Sequence, residues 1–390
     1  MDVRKLRWPQ PTLYPLPVAV GGESTVIALD GGDWMLSRSY HPDKPYWQSV
    51  QIPDTLASTR ETYAYRRMLS IPETWKNRRI LLRFDGANCL ATVLVDGQRL
   101  GSHYGGFVSW DCDITDAVKP GQTHELTVVM EDRVGEISSF QYGGLIRSVW
   151  LYALPEACIS RLHVRTTFDE VWQDAMLHLE LCLEGGEGPV SLTLLDPYGA
   201  EVLNETIFAP GGKADTAFPV AAPLKWDSEH PNLYMLTASL GIGENQEIIS
   251  RSVGFRQIDI DGQIMKVNGQ PIKLRGVNRH DQHPLHGYTH TIQEWERDLL
   301  LFKDANINFI RTSHYPPSTE FLDLCDRLGM YVEDEAGIAF VGYGTQSTEN
   351  DPERLPLYMN QFAEWIERDR SHPCVILWSL ANESHWGGQL

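Results

Sequence analysis

A chain of 390 residues, 42% apolar and 22% charged, has the composition of a globular protein of roughly two to three domains, which excludes a disordered or collagen-like chain. Its formal net charge of −19 repels phosphate, so neither a nucleic-acid partner nor an anionic membrane surface is expected. No apolar run reaches the roughly 18 residues of a bilayer span, and the Pro-studded N-terminus lacks the continuous apolar stretch of a secretion signal.

Residues 1–154 read as all-β. The runs YAYRRMLSI, RRILLRF, ATVLVDGQRLG, HELTVVM and SVWLYAL are separated by turn signals, and Asp96-Gly97 marks a tight hairpin. No helical period is sustained, so a sandwich or jelly roll is expected. Residues 155–256 keep the β rhythm in SRLHVRTTF, MLHLELCLEG, VSLTLLD and LYMLTASLG, the spacing of a small immunoglobulin-like sandwich. No low-complexity linker intervenes, so the domains should pack together. The six Cys residues form no CxxC pair and read as buried thiols of a reducing compartment, which points to the cytoplasm.

From residue 257 the pattern alternates strand and helix, as in a parallel α/β sheet. Asn268-Gly269 makes a small hairpin, and IKLRGVN reads as a buried strand. Thr291 and Glu294 form a capping box for a helix with apolar Ile292, Trp295, Leu299 and Phe302 at helical spacing. INFI is the second strand. Ser318 caps a helix with Phe321, Leu322, Cys325 and Leu328, which Gly329 ends. MYV is the third strand, a helix with Met359, Phe362, Trp365 and Ile366 follows, and CVILW is the fourth. The 134 residues from 257 onward are too few for a full (β/α)8 barrel, which takes about 250.

Polar groups at the C-terminal ends of parallel strands build active sites. Here those ends carry Asn278 to Asp281, Arg311 to His314, Asp334 and Glu335, then Asn382 and Glu383. Glu383 follows an apolar strand, where desolvation suits a carboxyl to general acid catalysis. Asn382, His280 and His314 are hydrogen-bonding partners for sugar hydroxyls, Arg311 for a carboxylate, and Trp386 is a flat wall for a sugar ring. With no phosphate cradle in view, a neutral polyhydroxylated ligand fits best. A lone Glu is most often solvated surface, and Asp334 and Glu335 serve equally well as caps or ion-pair partners. The spacing of His280, His283 and His286 invites a zinc reading, but Pro284 and Gly287 break any helical ligand face.

The segments RGVNRHDQHP, NINFIRTSHYPPSTEFLDLCDRLGMYVEDEAG and RDRSHPCVILWSLANES closely resemble signature stretches of family 2 glycoside hydrolases, the family of β-galactosidases, β-glucuronidases and β-mannosidases. GGLIRSVWLY resembles the closing strand of that family's first domain. The resemblance implies a jelly roll, an immunoglobulin-like sandwich and the first half of a (β/α)8 TIM barrel, with divisions at 1–154, 155–256 and 257–390. It implies Glu383 as acid/base of a retaining exo-β-glycosidase, Asn382 at the sugar 2-hydroxyl, His280 and His314 lining the sugar site, and Arg311 beside the nucleophile. That nucleophile is a Glu on the seventh strand, so the 390-residue chain is expected to end before it, to be a fragment, and to be inactive alone. Ala339 and Val341 stand where β-galactosidases carry magnesium ligands, so no such magnesium site and no other cofactor is expected. NRHDQHP resembles the galactosidases, whereas Ala-Asn-Glu resembles the glucuronidases; β-galactoside is the expected substrate. A non-catalytic carbohydrate-binding protein is the competing class, and self-association is expected as in other family members.

Overall fold

The computed structural model describes residues 13–18, 25–56, 62–132, 137–138, 142–241, 246–343 and 347–385. The first β unit stacks a six-stranded antiparallel sheet on a four-stranded one. The larger sheet runs in the order Gln48–Ile52, Gly31–Ser37, Thr62–Ser70, Thr123–Glu131, Leu90–Val95 and Gln98–Tyr104. The smaller runs Val26–Ala28, Val149–Leu154, Arg79–Phe84 and Trp110–Asp113. Strand Leu90–Val95 alternates half-buried and buried residues, so Ala91, Val93 and Val95 enter the core with Trp34, Tyr65, Leu82, Phe84 and Val128. Each buried Val, Leu or Phe among them contributes about 1.5–3 kcal/mol by burial. Asp96 and Gly97 both adopt positive φ, 48° and 80°, as a two-residue turn matched to strand twist requires.

The second unit packs Cys158–Phe168, Ala175–Glu184 and Lys213–Val220 against Glu201–Phe208, Pro189–Leu195, Tyr234–Leu240 and Glu247–Val253. Leu177, Leu179 and Leu181 face Leu192, Leu194 and Leu236 across the two sheets. Seven antiparallel strands in two layers is the immunoglobulin-like arrangement. None of the six Cys is in a disulfide; Cys182 is half-buried and the other five are buried.

The third unit is parallel. Strands β1 (Gly276–Arg279), β2 (Phe309–Thr312), β3 (Tyr331–Glu335) and β4 (Val375–Ser379) pair in sequence order. Helix α1 (Ile292–Asp304) opens on the expected capping box: the Glu294 amide donates to Thr291 Oγ1 at 3.2 Å and the Thr291 amide to Glu294 Oε2 at 2.8 Å. Helix α2 (Thr319–Leu328) ends at Gly329 in the left-handed conformation, φ 70°. Ser318 holds the N-cap position, yet its hydroxyl donates to Glu320 instead of accepting a helix amide.

Three sequence expectations need correction. Strand β1 is largely exposed, not buried, because in the described sheet it has only β2 as a neighbour. Ile292 on α1 is exposed. On α3 (Leu355–Asp369), Ile366 is exposed and Met359 and Phe362 are half-buried, while the buried stripe is Leu355, Tyr358, Gln361, Trp365 and Arg368. The reason is tertiary: α3 also packs on the first β unit. Gln361 Nε2 donates to the Tyr104 carbonyl at 3.1 Å and Arg368 Nη1 to the Phe107 carbonyl at 3.1 Å. Arg147 adds bonds to the Phe107 and Pro316 carbonyls at 2.8 and 2.7 Å. The β units and the α/β unit are thus docked through buried polar contacts. No helix among the described residues is long and apolar enough to cross a membrane.

Candidate active site

Parallel register brings the chemistry to one rim. Asn278 lies opposite Arg311, Arg311 opposite Glu333, and Glu335 opposite Ser379. The chain then continues from β4 to Asn382 and Glu383. Arg311 is the centre of the rim. Its Nε donates to Glu335 Oε2 at 2.6 Å, and its Nη2 donates to Asn382 Oδ1 at 3.1 Å and lies 3.3 Å from His314 Nδ1. One guanidinium therefore ties the ends of β2, β3 and β4 together.

Glu335 is fully buried and holds two further partners, His314 Nδ1 at 2.7 Å and Ser379 Oγ at 2.6 Å. Burial pushes its carboxyl up, but hydrogen bonds from His314, Ser379 and Arg311 outweigh that and hold it below the ordinary carboxylate range. Glu335 is therefore an anion at neutral pH. The His280 ring meets that of His314 edge-on, 5.0 Å between centroids and 82° between planes. Burial first, and the neighbouring His314 second, lower His280 from the usual imidazole value, which leaves it neutral at pH 7.

Glu383 is exposed, with φ 38°. The dry setting expected for it after the apolar β4 is not found: it opens onto a cavity of about 690 Å³ lined also by Tyr343, Glu349, Ser384 and His385. Trp386 lies outside the described residues. Asp334 turns away from the rim, taking Trp365 Nε1 at 2.7 Å, and burial with Asp369 beside it raises its carboxyl well above normal. Asp281 is likewise structural, held by Arg279 at 2.7 Å and by Trp295 Nε1 at 2.8 Å. Arg311 faces no free space for a substrate carboxylate along its Nε, because Glu335 already fills that position.

The sequence reading missed Ser379, whose role depends on strand register, and Glu349, which sits in the loop after β3. Glu349 is buried, lies 3.6 Å from His385 Nδ1 through Oε1, and leaves Oε2 without a hydrogen-bond partner. An aromatic wall reaches the rim from the first β unit: Phe107 stacks on Tyr315 at 4.0 Å, and Tyr315 adjoins His280. The supposed metal trio separates. His280 stays at the rim, whereas His283 and His286 come together with Glu294. Ala339 and Val341 are fully buried and carry no metal-ligating side-chain group.

A jelly roll, an immunoglobulin-like sandwich and strand–helix units of a parallel barrel, with a rim of carboxyl, amide, imidazole and guanidinium groups, define a three-domain architecture with a polar site at the barrel rim. Family profiles match it piece by piece: the glycosyl hydrolase 2 galactose-binding domain-like profile over 36–167, glycosyl hydrolases family 2 over 157–256, and the family 2 TIM barrel domain over 258–390. The chain belongs to glycosyl hydrolase family 2. It is 30% identical over 370 residues to a β-galactosidase of Vibrio cholerae, covering 88% of this chain and 36% of that protein. A β-galactosidase of Aeromonas hydrophila is 31% identical over 386 residues, covering 91% and 38%. The chain thus spans about a third of the length of these curated relatives. Among solved structures, the Ruminococcus gnavus β-glucuronidase superposes with TM-score 0.85 at 27% identity, covering 96% of this chain and 70% of that one. Bacteroides uniformis β-glucuronidase 3 gives 0.84 at 26%, covering 97% and 52%.

Proposed function

We propose that this chain carries the sugar-binding and acid/base side of a retaining exo-β-glycosidase site, with a β-galactoside as substrate. The observation that supports this best is the Arg311 bridge to Glu335 and Asn382. Because Asn382 Oδ1 already accepts from Arg311, its amide NH2 is left to donate, the orientation needed to hold a sugar hydroxyl beside the scissile bond. His280 and His314 take further hydroxyls. Glu383, exposed on the cavity side, protonates the leaving oxygen and later activates water.

Retention also needs a second carboxylate about 5–5.5 Å from the first. Glu335 is committed to three hydrogen bonds and poorly suited to attack. We therefore place the nucleophile outside the described residues and expect no turnover from this chain alone. Turnover of an aryl β-galactoside that disappears in Glu383→Gln contradicts that expectation. Its loss in Glu349→Gln as well would make Glu349 the second carboxylate.

The neutral-sugar reading rests on Arg311 being neutralised by Glu335, on the NRHDQHP stretch and on relatives named β-galactosidase. A β-glucuronide is the second reading, supported by the structural neighbours and by Ala381-Asn382-Glu383. Ligand-observed NMR with methyl β-galactoside and methyl β-glucuronide, side by side on the purified chain, separates them. Saturable binding of the galactoside alone supports the first reading, and of the glucuronide alone the second. Binding of neither refutes both.

A further inference from the structure

Helix α1 begins beside a second cluster of ligating groups, remote in role from the sugar rim. His283 and His286 lie in the tight loop after β1, closed by paired backbone bonds between His283 and Gly287 of 2.7 and 3.0 Å. Their rings stack, 4.5 Å between centroids and 11° between planes. Glu294 comes from the first turn of α1, where the Thr291 amide fixes its Oε2 and leaves Oε1 toward the histidines. One donor atom from each of His283, His286 and Glu294 lies within 4.8 Å of the others.

We propose that His283, His286 and Glu294 bind a divalent transition ion of the zinc class. The donor set is two imidazoles and a carboxylate, which suits zinc and its neighbours and disfavours magnesium or calcium, which prefer all-oxygen shells. The spacing is nearly in place. Bonds of about 2.0–2.2 Å put tetrahedral zinc ligands roughly 3.3–3.5 Å apart, and His283 Nε2 already stands 3.3 Å from Glu294 Oε1. Only His286 has to move, turning its ring out of the parallel stack by about an ångström, and it is exposed and so unimpeded.

Binding at His283 Nε2 leaves the ring proton on Nδ1. That atom now accepts from the Leu285 amide at 3.2 Å, a bond that zinc uptake exchanges for solvent. Leu285 is highly exposed, so water can take over the amide. The exchange makes the site moderate in affinity. The ion's remaining positions open on a cavity of about 510 Å³ walled by Thr55 and Tyr142 of the first β unit. Occupied, the site clasps the loop that follows His280 to the start of α1.

A second cluster, Asp326, His372 and Cys374, offers no comparable site. His372 Nδ1 already pairs with Asp326 at 2.6 Å, and the Cys374 amide fills the other carboxylate oxygen at 2.8 Å.

The test uses the purified 390-residue chain, stripped with a chelator and titrated with zinc against a chromophoric competitor. One equivalent binds with Kd of about 10 µM or tighter, and cobalt in its place shows weak visible bands without a thiolate charge-transfer band. His286→Gln and Glu294→Gln keep the far-ultraviolet spectrum and lose at least about tenfold in affinity, whereas His280→Gln leaves zinc affinity unchanged. Absence of uptake at 100 µM zinc (about ten times the expected Kd), uptake that survives His286→Gln, or a cobalt–thiolate band each overturns the site. None of these readouts depends on glycoside turnover or sugar binding, so failure here is distinguishable from failure of the proposed function.

Discussion

Glu335→Gln is the perturbation that probes the rim most sharply. The wild-type carboxylate is fully buried and takes hydrogen bonds from Arg311, His314 and Ser379 at 2.6–2.7 Å. Glutamine keeps the volume, removes the charge and presents an NH2 to at least one donor. Breaking a buried ion pair by changing one partner costs about 3–5 kcal/mol. The Arg311 and His314 side chains keep 23% and 13% exposure, so solvent moderates the loss toward about 3 kcal/mol. For a unit of this size that lowers the melting temperature by about 6–12 °C. Urea and thermal melts at pH 7, followed by circular dichroism, read it directly. The pH dependence has a definite sign. Because the folded-state value of Glu335 is depressed, its contribution is present above the unfolded carboxylate value, about 4.3, and lost as pH falls through the lower folded value. The wild type therefore approaches Glu335→Gln in stability toward strong acid. A variant within 1 kcal/mol of wild type at pH 7 (about the worth of a single hydrogen bond), or a gap that widens in acid, refutes the clamp.

Three other outcomes follow from particular geometries. Gly329→Ala forces a Cβ into the left-handed C-cap of α2, 2.5 Å from the Ser228 carbonyl oxygen, and should cost about 2 kcal/mol in urea unfolding, against near-neutrality for an unstrained surface change. For His372, burial lowers the imidazole value but Asp326 outweighs it and raises the net value. Its stabilisation is complete below about pH 6.5 and lost as pH rises through the higher folded value, so the urea midpoint should drop between pH 6 and pH 9 in wild type and stay flatter in His372→Gln. Glu383→Gln alters an exposed side chain and should leave the melting temperature unchanged; a marked loss would mean that Glu383 is a structural residue.

Much of this architecture was legible in local pattern. The Asp96-Gly97 turn, the Thr291–Glu294 box and the Gly329 stop each depend on backbone chemistry within a few residues, and each stands where the sequence placed it. The rim residues were legible as well, because parallel strands deliver their C-terminal ends to one side. What escaped depends on partners distant in sequence. Arg368 is buried and Ile366 exposed because α3 packs on Phe107 and Tyr104 of the first β unit, which no helical period reveals. His280 parts from His283 because the chain turns between them, so that His280 faces His314 while Glu294, eleven residues on from His283, completes the other cluster. The exposure of Glu383 likewise depends on the loops around it and not on the apolar strand before it.

The central claim is that Arg311 orients Asn382 to hold a sugar hydroxyl. Calorimetric titration of a galactose-configured iminosugar into wild type and Asn382→Ala tests it most directly. The account predicts saturable binding by wild type and a loss of at least about tenfold in Asn382→Ala, the worth of one well-placed hydrogen bond to a polar ligand. Equal affinity in the two proteins, or no saturable binding by wild type, contradicts it.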